Sequence, residues 1–140
     1  MQFQLINPGD PEKVYITVKN TSAAVTAVGD ACVFDYTTEA DGVSVILPTT
    51  ALLEVPAGFW TEVVADDGYG LVQVWGHTED LKVVTITAEG AVGDPLIMVD
   101  GAEELNTSAT THTKVAVLGE TLAVNTDTVT TGVKAFIKIL

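Results

Sequence analysis

The sequence predicts an all-β protein, a small β-barrel or β-sandwich with an extended N-terminal arm. Three observations carry that reading. Valine and threonine alternate in short runs, and such β-branched side chains suit a pleated surface better than a helix. Gly, Asp and Pro turn signals separate the runs at short intervals, as barrels and sandwiches require. No window keeps a helical period for more than two turns.

Residues 1–13 read as the arm and 14–140 as a single β domain. The arm holds two prolines and a glycine around a short apolar start, Phe3-Gln4-Leu5-Ile6. It cannot bury those side chains alone, so it adds a strand to its own sheet or reaches onto a neighbour. Next, Val14, Ile16 and Val18 alternate with Tyr15, Thr17 and Lys19. Further strands are expected over 31–36, 43–47, 61–65, 70–75, 84–88, 95–99, 114–118 and 133–139. Thr50–Val55 and Asp100–Leu105 have room for one helical turn each. The turns fall at Gly29-Asp30, Asp41-Gly42, Pro56-Ala57-Gly58, Asp66-Asp67-Gly68, Gly93-Asp94-Pro95 and Asp100-Gly101. The Thr-rich stretches 106–113 and 125–132 read as exposed loops.

One internal echo stands out. Ala27-Val28-Gly29-Asp30 recurs as Ala91-Val92-Gly93-Asp94, each followed by an apolar strand. Either a β-unit is duplicated or one turn solution is used twice.

Composition excludes some functions. The 140 residues carry 19 acids and 6 bases, a net charge of −13. All six bases are lysine (Lys13, Lys19, Lys82, Lys114, Lys134, Lys138). Nucleic-acid affinity rests on neutralising phosphates, so no nucleic acid is expected as partner. The arginine fork that reads phosphate and guanine is missing as well. Cys32 is the single cysteine, which fits folding in a reducing compartment. The N-terminus lacks the pattern of a secretory signal. The longest uncharged stretch, Gly42 to Leu53, is broken by Pro48 and falls short of a membrane span, so no membrane partner is expected.

Catalytic and metal-binding patterns are equally sparse. His77 and His112 are far apart in sequence and, with one cysteine, make no zinc spacing. Asp66-Asp67-Gly68 lacks the rest of a calcium loop and reads as a hairpin tip. Ser22, Ser44 and Ser108 sit in no nucleophile elbow. Cys32 alternates within a strand and reads as a small buried hydrophobe. Acid pairs such as Glu79-Asp80 and Glu103-Glu104 are expected by chance among 19 acids. The chain is therefore read as a non-enzyme without cofactor or metal. Phe59, Trp60, Tyr69 and Trp75 flank one expected hairpin. They form either a core cluster beneath it or an exposed platform for a sugar or a protein partner.

The segment Ala65-Asp-Asp-Gly-Tyr-Gly-Leu-Val-Gln-Val-Trp-Gly76 is the most distinctive. Together with Asp41-Gly-Val-Ser-Val-Ile-Leu-Pro-Thr-Thr-Ala51 and Ala91-Val-Gly-Asp-Pro-Leu-Ile97, it resembles the capsid decoration (cement, or head-stabilising) proteins of tailed bacteriophages. That resemblance implies a small β-rich homotrimer on the outer surface of the virion head, made in the host cytoplasm, with the major capsid protein as partner. It also implies an N-terminal arm that joins a strand to that partner. The matching partner-binding residues are Gln2, Phe3, Gln4, Leu5, Ile6, Asn7 and Pro8, with Trp60 added from the aromatic cluster. Rival readings are a phage-displayed glycan-binding or adhesion module, a tail or neck subunit, and a glycan hydrolase.

Overall fold

The computed structural model describes residues 12–85, 90–107, 113–123 and 125–139. Among them are nine strands and one short 3-10 turn at Thr50–Leu52. The strands are β1 (Lys13–Asn20), β2 (Ala31–Phe34), β3 (Ser44–Ile46), β4 (Pro56–Trp60), β5 (Tyr69–Thr85), β6 (Pro95–Met98), β7 (Leu105–Asn106), β8 (Lys114–Leu118) and β9 (Asn125–Lys138). The all-β class is as expected. The expected arm, 1–13, lies outside the described residues except for its last two positions.

The strand order is β1-β3-β2-β4-β5-β7-β6-β8-β9, and β5 pairs in addition with both β1 and β9. The sheet thus closes on itself twice. Ring 1 runs β1-β3-β2-β4-β5 and back to β1; ring 2 runs β5-β7-β6-β8-β9 and back to β5. The 17-residue β5 belongs to both rings.

The two rings repeat one wiring scheme. β1 pairs parallel with β3, as β5 does with β7. The pairs β2–β3, β2–β4, β4–β5 and β1–β5 are antiparallel, and so are β6–β7, β6–β8, β8–β9 and β5–β9. A register shift between Cys32 and Val33 recurs between Leu96 and Ile97. Glu62 accepts a hydrogen bond from the Leu71 N–H, and Glu120 accepts one from the Lys134 N–H in the same place. The sequence echo is therefore the trace of a duplicated unit. In each copy an aspartate closes the turn: the Ala27 N–H donates to Asp30 at 2.6 Å and the Ala91 N–H to Asp94 at 2.8 Å.

Each ring has its own core. Val18, Cys32, Val45, Trp60, Val72 and Val74 fill ring 1. Leu81, Val83, Leu96, Met98, Leu105, Val115, Leu118 and Ile137 fill ring 2. The outward side of β2 and β4 (Ala31, Val33, Phe59) joins the second cluster, so ring 1 packs its flank against ring 2. Apolar burial on both sides of β2 and β4 stabilises the pair as one body.

Several assignments differ from the sequence reading: Asn106, expected in a loop, belongs to β7, while 86–88 of the expected strand 84–88 and 108–112 of the expected loop lie outside the described residues. Residues 70–75 and 84–85 belong to one strand, β5. Register shifts between Thr78 and Leu81 and beyond break the alternation, because an extra residue switches the face of all that follow. Residues 56–60 are a strand rather than a turn, and 61–65 a connection. Proline is tolerated at a strand's first position, and Gly58 is needed because β5 passes so close that a Cβ would meet the Gln73 carbonyl at 2.8 Å. Residues 125–132, expected as a loop, are part of β9 and pair with β5. Threonine is polar, but it is β-branched and holds an extended backbone well.

Candidate interaction surface

The sites singled out from the sequence separate in space. Gln2, Phe3, Gln4, Leu5, Ile6, Asn7 and Pro8 lie outside the described residues, as does His112. Trp60, expected at a partner surface, is corrected: it is 3% exposed and sits in the ring 1 core against Val18, Val72 and Val74. The reason is its position on β4, where the alternation turns Phe59 toward ring 2 and Trp60 into ring 1. Its backbone is tied down as well, receiving from Gly29 N and donating to the Asp30 carbonyl. The four aromatics therefore form no single platform. Phe59 and Trp60 are buried, Tyr69 is exposed, and Trp75 is half-buried with its ring edge-on to Phe136 at 5.1 Å.

His77 is half-buried on β5, and its carbonyl, with that of Trp75, accepts the Gln73 amide. Cys32 is buried with its thiol against the Gly58 carbonyl, and burial pushes the thiol well above the ordinary range. A thiol held protonated is a poor nucleophile. Asp66-Asp67-Gly68 forms the tip between β4 and β5, with the Gly68 N–H bonded to the Ala65 carbonyl and Asp67 ion-paired to Lys19 at 2.7 Å. That partner raises the Lys19 ammonium. Among the described residues no group of three His, Cys, Asp or Glu is placed to hold a metal.

Charge collects near this tip. Asp35, Glu39, Asp66 and Asp67 line one open cleft. Burial alone would raise the Asp35 carboxyl, but hydrogen bonds from Thr38 N, Thr37 Oγ1 and Thr37 N outweigh it and lower the pKa. The Ser44 and Val43 N–H groups lower Asp41 in the same way. Both acids bind their own loops, so they order the connection into β3.

Two groups of apolar residues lie together on strand surfaces, while Val25, Tyr36 and Val63 are exposed singly on connections. On the β1–β5 ribbon, Thr17 faces Leu71 and Lys19 faces Tyr69, with Tyr15 one step along. β3 reaches only Lys19 and Asn20, so 13–18 have no strand neighbour on the side away from β5 among the described residues. On ring 2, Pro95, Val117 and Phe136 lie side by side across β6, β8 and β9. Val92 projects beside them from the turn, 65% exposed. A bare strand edge and an apolar row are equipment for docking another polypeptide, by backbone pairing and by apolar burial.

These features define a class: an acidic, all-β protein built from a duplicated five-strand ring. No protein-family model matches the chain, and no curated protein matches it. Among solved structures, its fold is similar to the head fiber gp8.5 N base of bacteriophage phi29. The TM-score is 0.52 at 13% identity, over 91% of this chain and 96% of that one.

Proposed function

We propose that this chain is a structural protein of a tailed-phage virion, carried on the head. The observation that carries the reading is the shared fold with the phi29 head fiber base, which spans nearly the whole of both chains. The duplicated rings expose an apolar row and a strand edge, and the carboxylates of Asp35 and Asp41 bind their own loops. The chain works by holding neighbours together, without a catalytic step or cofactor.

In the finer reading, it sits on the outer capsid surface as a homotrimer and bridges copies of the major capsid protein, as the resemblance to decoration proteins implies. The arm, residues 1–13, supplies the strand that reaches the capsid. Weak single contacts become firm when several engage together, since later ones form at high effective concentration. The net charge of −13 keeps packaged DNA away and the free chain soluble.

The test is to image particles of the phage that encodes the chain, with an epitope tag after Leu140. Label around the head is the expected result. Label confined to tails, or absent from purified particles, overturns the reading.

A further inference from the structure

The junction between the two rings shows how a second molecule would attach. Ring 1 presents the turn 27–30 to the β5 segment of ring 2. Gly29 lies so close to β5 that a Cβ there would overlap the Asp80 carbonyl. Asp30, the last residue of the turn, is ion-paired with Lys82. Behind the turn, Ala31, Phe59 and Gln73 form a row across β2, β4 and β5, and the junction buries it; Phe59 is 2% exposed.

The turn and the apolar row of this contact each have a duplicate that packs against no further ring among the described residues. The turn 91–94 repeats 27–30, yet a Cβ on Gly93 would meet nothing within 4 Å. The row Pro95, Val117 and Phe136 repeats Ala31, Phe59 and Gln73, yet Phe136 is 41% exposed. On the receiving side, Val18 pairs with Gly70 as Leu81 pairs with Val133. That correspondence places Thr17 where Asp80 stands, on the strand edge of β1 that β3 leaves bare over 13–18, and Lys19 where Lys82 stands, one residue beyond that edge, where β3 begins to pair.

We propose that a second copy of this chain docks end to end: the 91–94 turn and the Phe136 row of one copy seat on the β1 edge of the next. Asp94 then approaches Lys19 as Asp30 approaches Lys82, and takes the place of Asp67 as the partner of Lys19. By the same correspondence, Lys138 near the end of β9 matches Trp75, and Lys13 at the start of β1 matches Gly76. β9 of one copy would then end where β1 of the next begins, with Ile139 and Glu12, which this match superposes on Lys13 and Lys138, turned aside from the line of the strands. One bond is not repeated, because Pro95 has no N–H to stand in for Ala31 N, which donates to the Glu103 carbonyl. Such a head-to-tail contact either closes a ring of copies or extends a filament. It is read from the repeat alone and stands apart from the virion reading.

The experiment uses the full chain in solution. Sedimentation should show a mass above the monomer that rises with concentration. Phe136→Lys and, separately, Val117→Lys should each weaken association at least tenfold, with the circular dichroism spectrum unchanged. A wild type that stays monomeric, or one unaffected by both variants, overturns the proposal. For orientation, Thr17→Cys and Val92→Cys chains are mixed and oxidised; Cys32 is buried and inert. A disulfide-linked dimer should form in the mixture and not in either variant alone. A dimer formed equally by one variant alone would mean a symmetric contact and overturn the proposal.

Discussion

The carboxylate of Asp30 and the ammonium of Lys82 meet at the seam between the two rings, with Glu103 as a second, longer partner of the lysine at 3.5 Å. Burial alone would lower the lysine, but Asp30 outweighs it and the pKa ends raised. Asp94, the matching residue of the second unit, closes the same turn. The duplicated device thus holds the rings together in one copy of the turn and only shapes the backbone in the other.

Removing one partner of a buried ion pair strands the other charge, at a cost of about 3–5 kcal/mol. Lys82→Ala should therefore lower stability by about that amount, read as a fall in the urea midpoint. The double variant Asp30→Asn with Lys82→Met should recover much of the loss. Equal losses in both variants would mean that the ion pair does not join the rings.

The same pair gives a pH dependence at the alkaline end. Lys82 is raised in the folded state, so its contribution is complete below the ordinary lysine pKa, about 10.4. It is lost as pH climbs through the folded value. At the acid end, Asp35 is lowered, so its contribution is complete above the ordinary aspartate pKa, about 3.9, and is lost as pH falls through the folded value. Unfolding curves of Asp35→Asn should lie below those of the wild type near neutrality and converge with them as the acid is titrated. Parallel curves across that range would remove Asp35 from the acid response.

Gly29 and Gly93 share a positive φ of 86° and 95°, where a side chain costs about 1–2 kcal/mol. Gly29→Ala carries in addition the overlap with the Asp80 carbonyl, while a Cβ on Gly93 is unobstructed. In thermal melts, Gly29→Ala should therefore be clearly the more destabilising of the two. Similar shifts would mean that the turn does not press on β5.

Trp60→Ala empties part of the ring 1 core and should cost about 3–5 kcal/mol. Tyr69→Ala, at an exposed position, should stay within about 0.5 kcal/mol. Chemical denaturation of both variants checks the contrast; a Trp60 variant as stable as Tyr69→Ala would return the tryptophan to the surface.

If the chain is carried on phage heads, deleting residues 1–8 should leave its melting temperature unchanged and abolish cosedimentation with heads. Full cosedimentation of the shortened chain would take the arm out of the attachment.

Much of this was legible in the sequence because it is decided locally. Val14, Ile16 and Val18 announce β1 by their spacing, and Ala-Val-Gly-Asp marks both turns, since positive φ and a nearby acceptor are properties of those residues. The side on which a residue ends up is a different matter. The register shifts in β5 reset the alternation, and the closeness of β5 to Gly58 turns an apparent turn into β4. Such pairings join residues far apart in the chain, and only their mutual burial selects them. The sequence by itself therefore determined the all-β class, strands such as β1 and β8, the Ala-Val-Gly-Asp turns and the hint of a repeat. The tertiary structure decided that β5 serves both rings, that Trp60 lies inside, and that, among the described residues, nothing pairs with the β1 edge over 13–18 and Phe136 stays exposed, because those outcomes depend on which surfaces exclude water together.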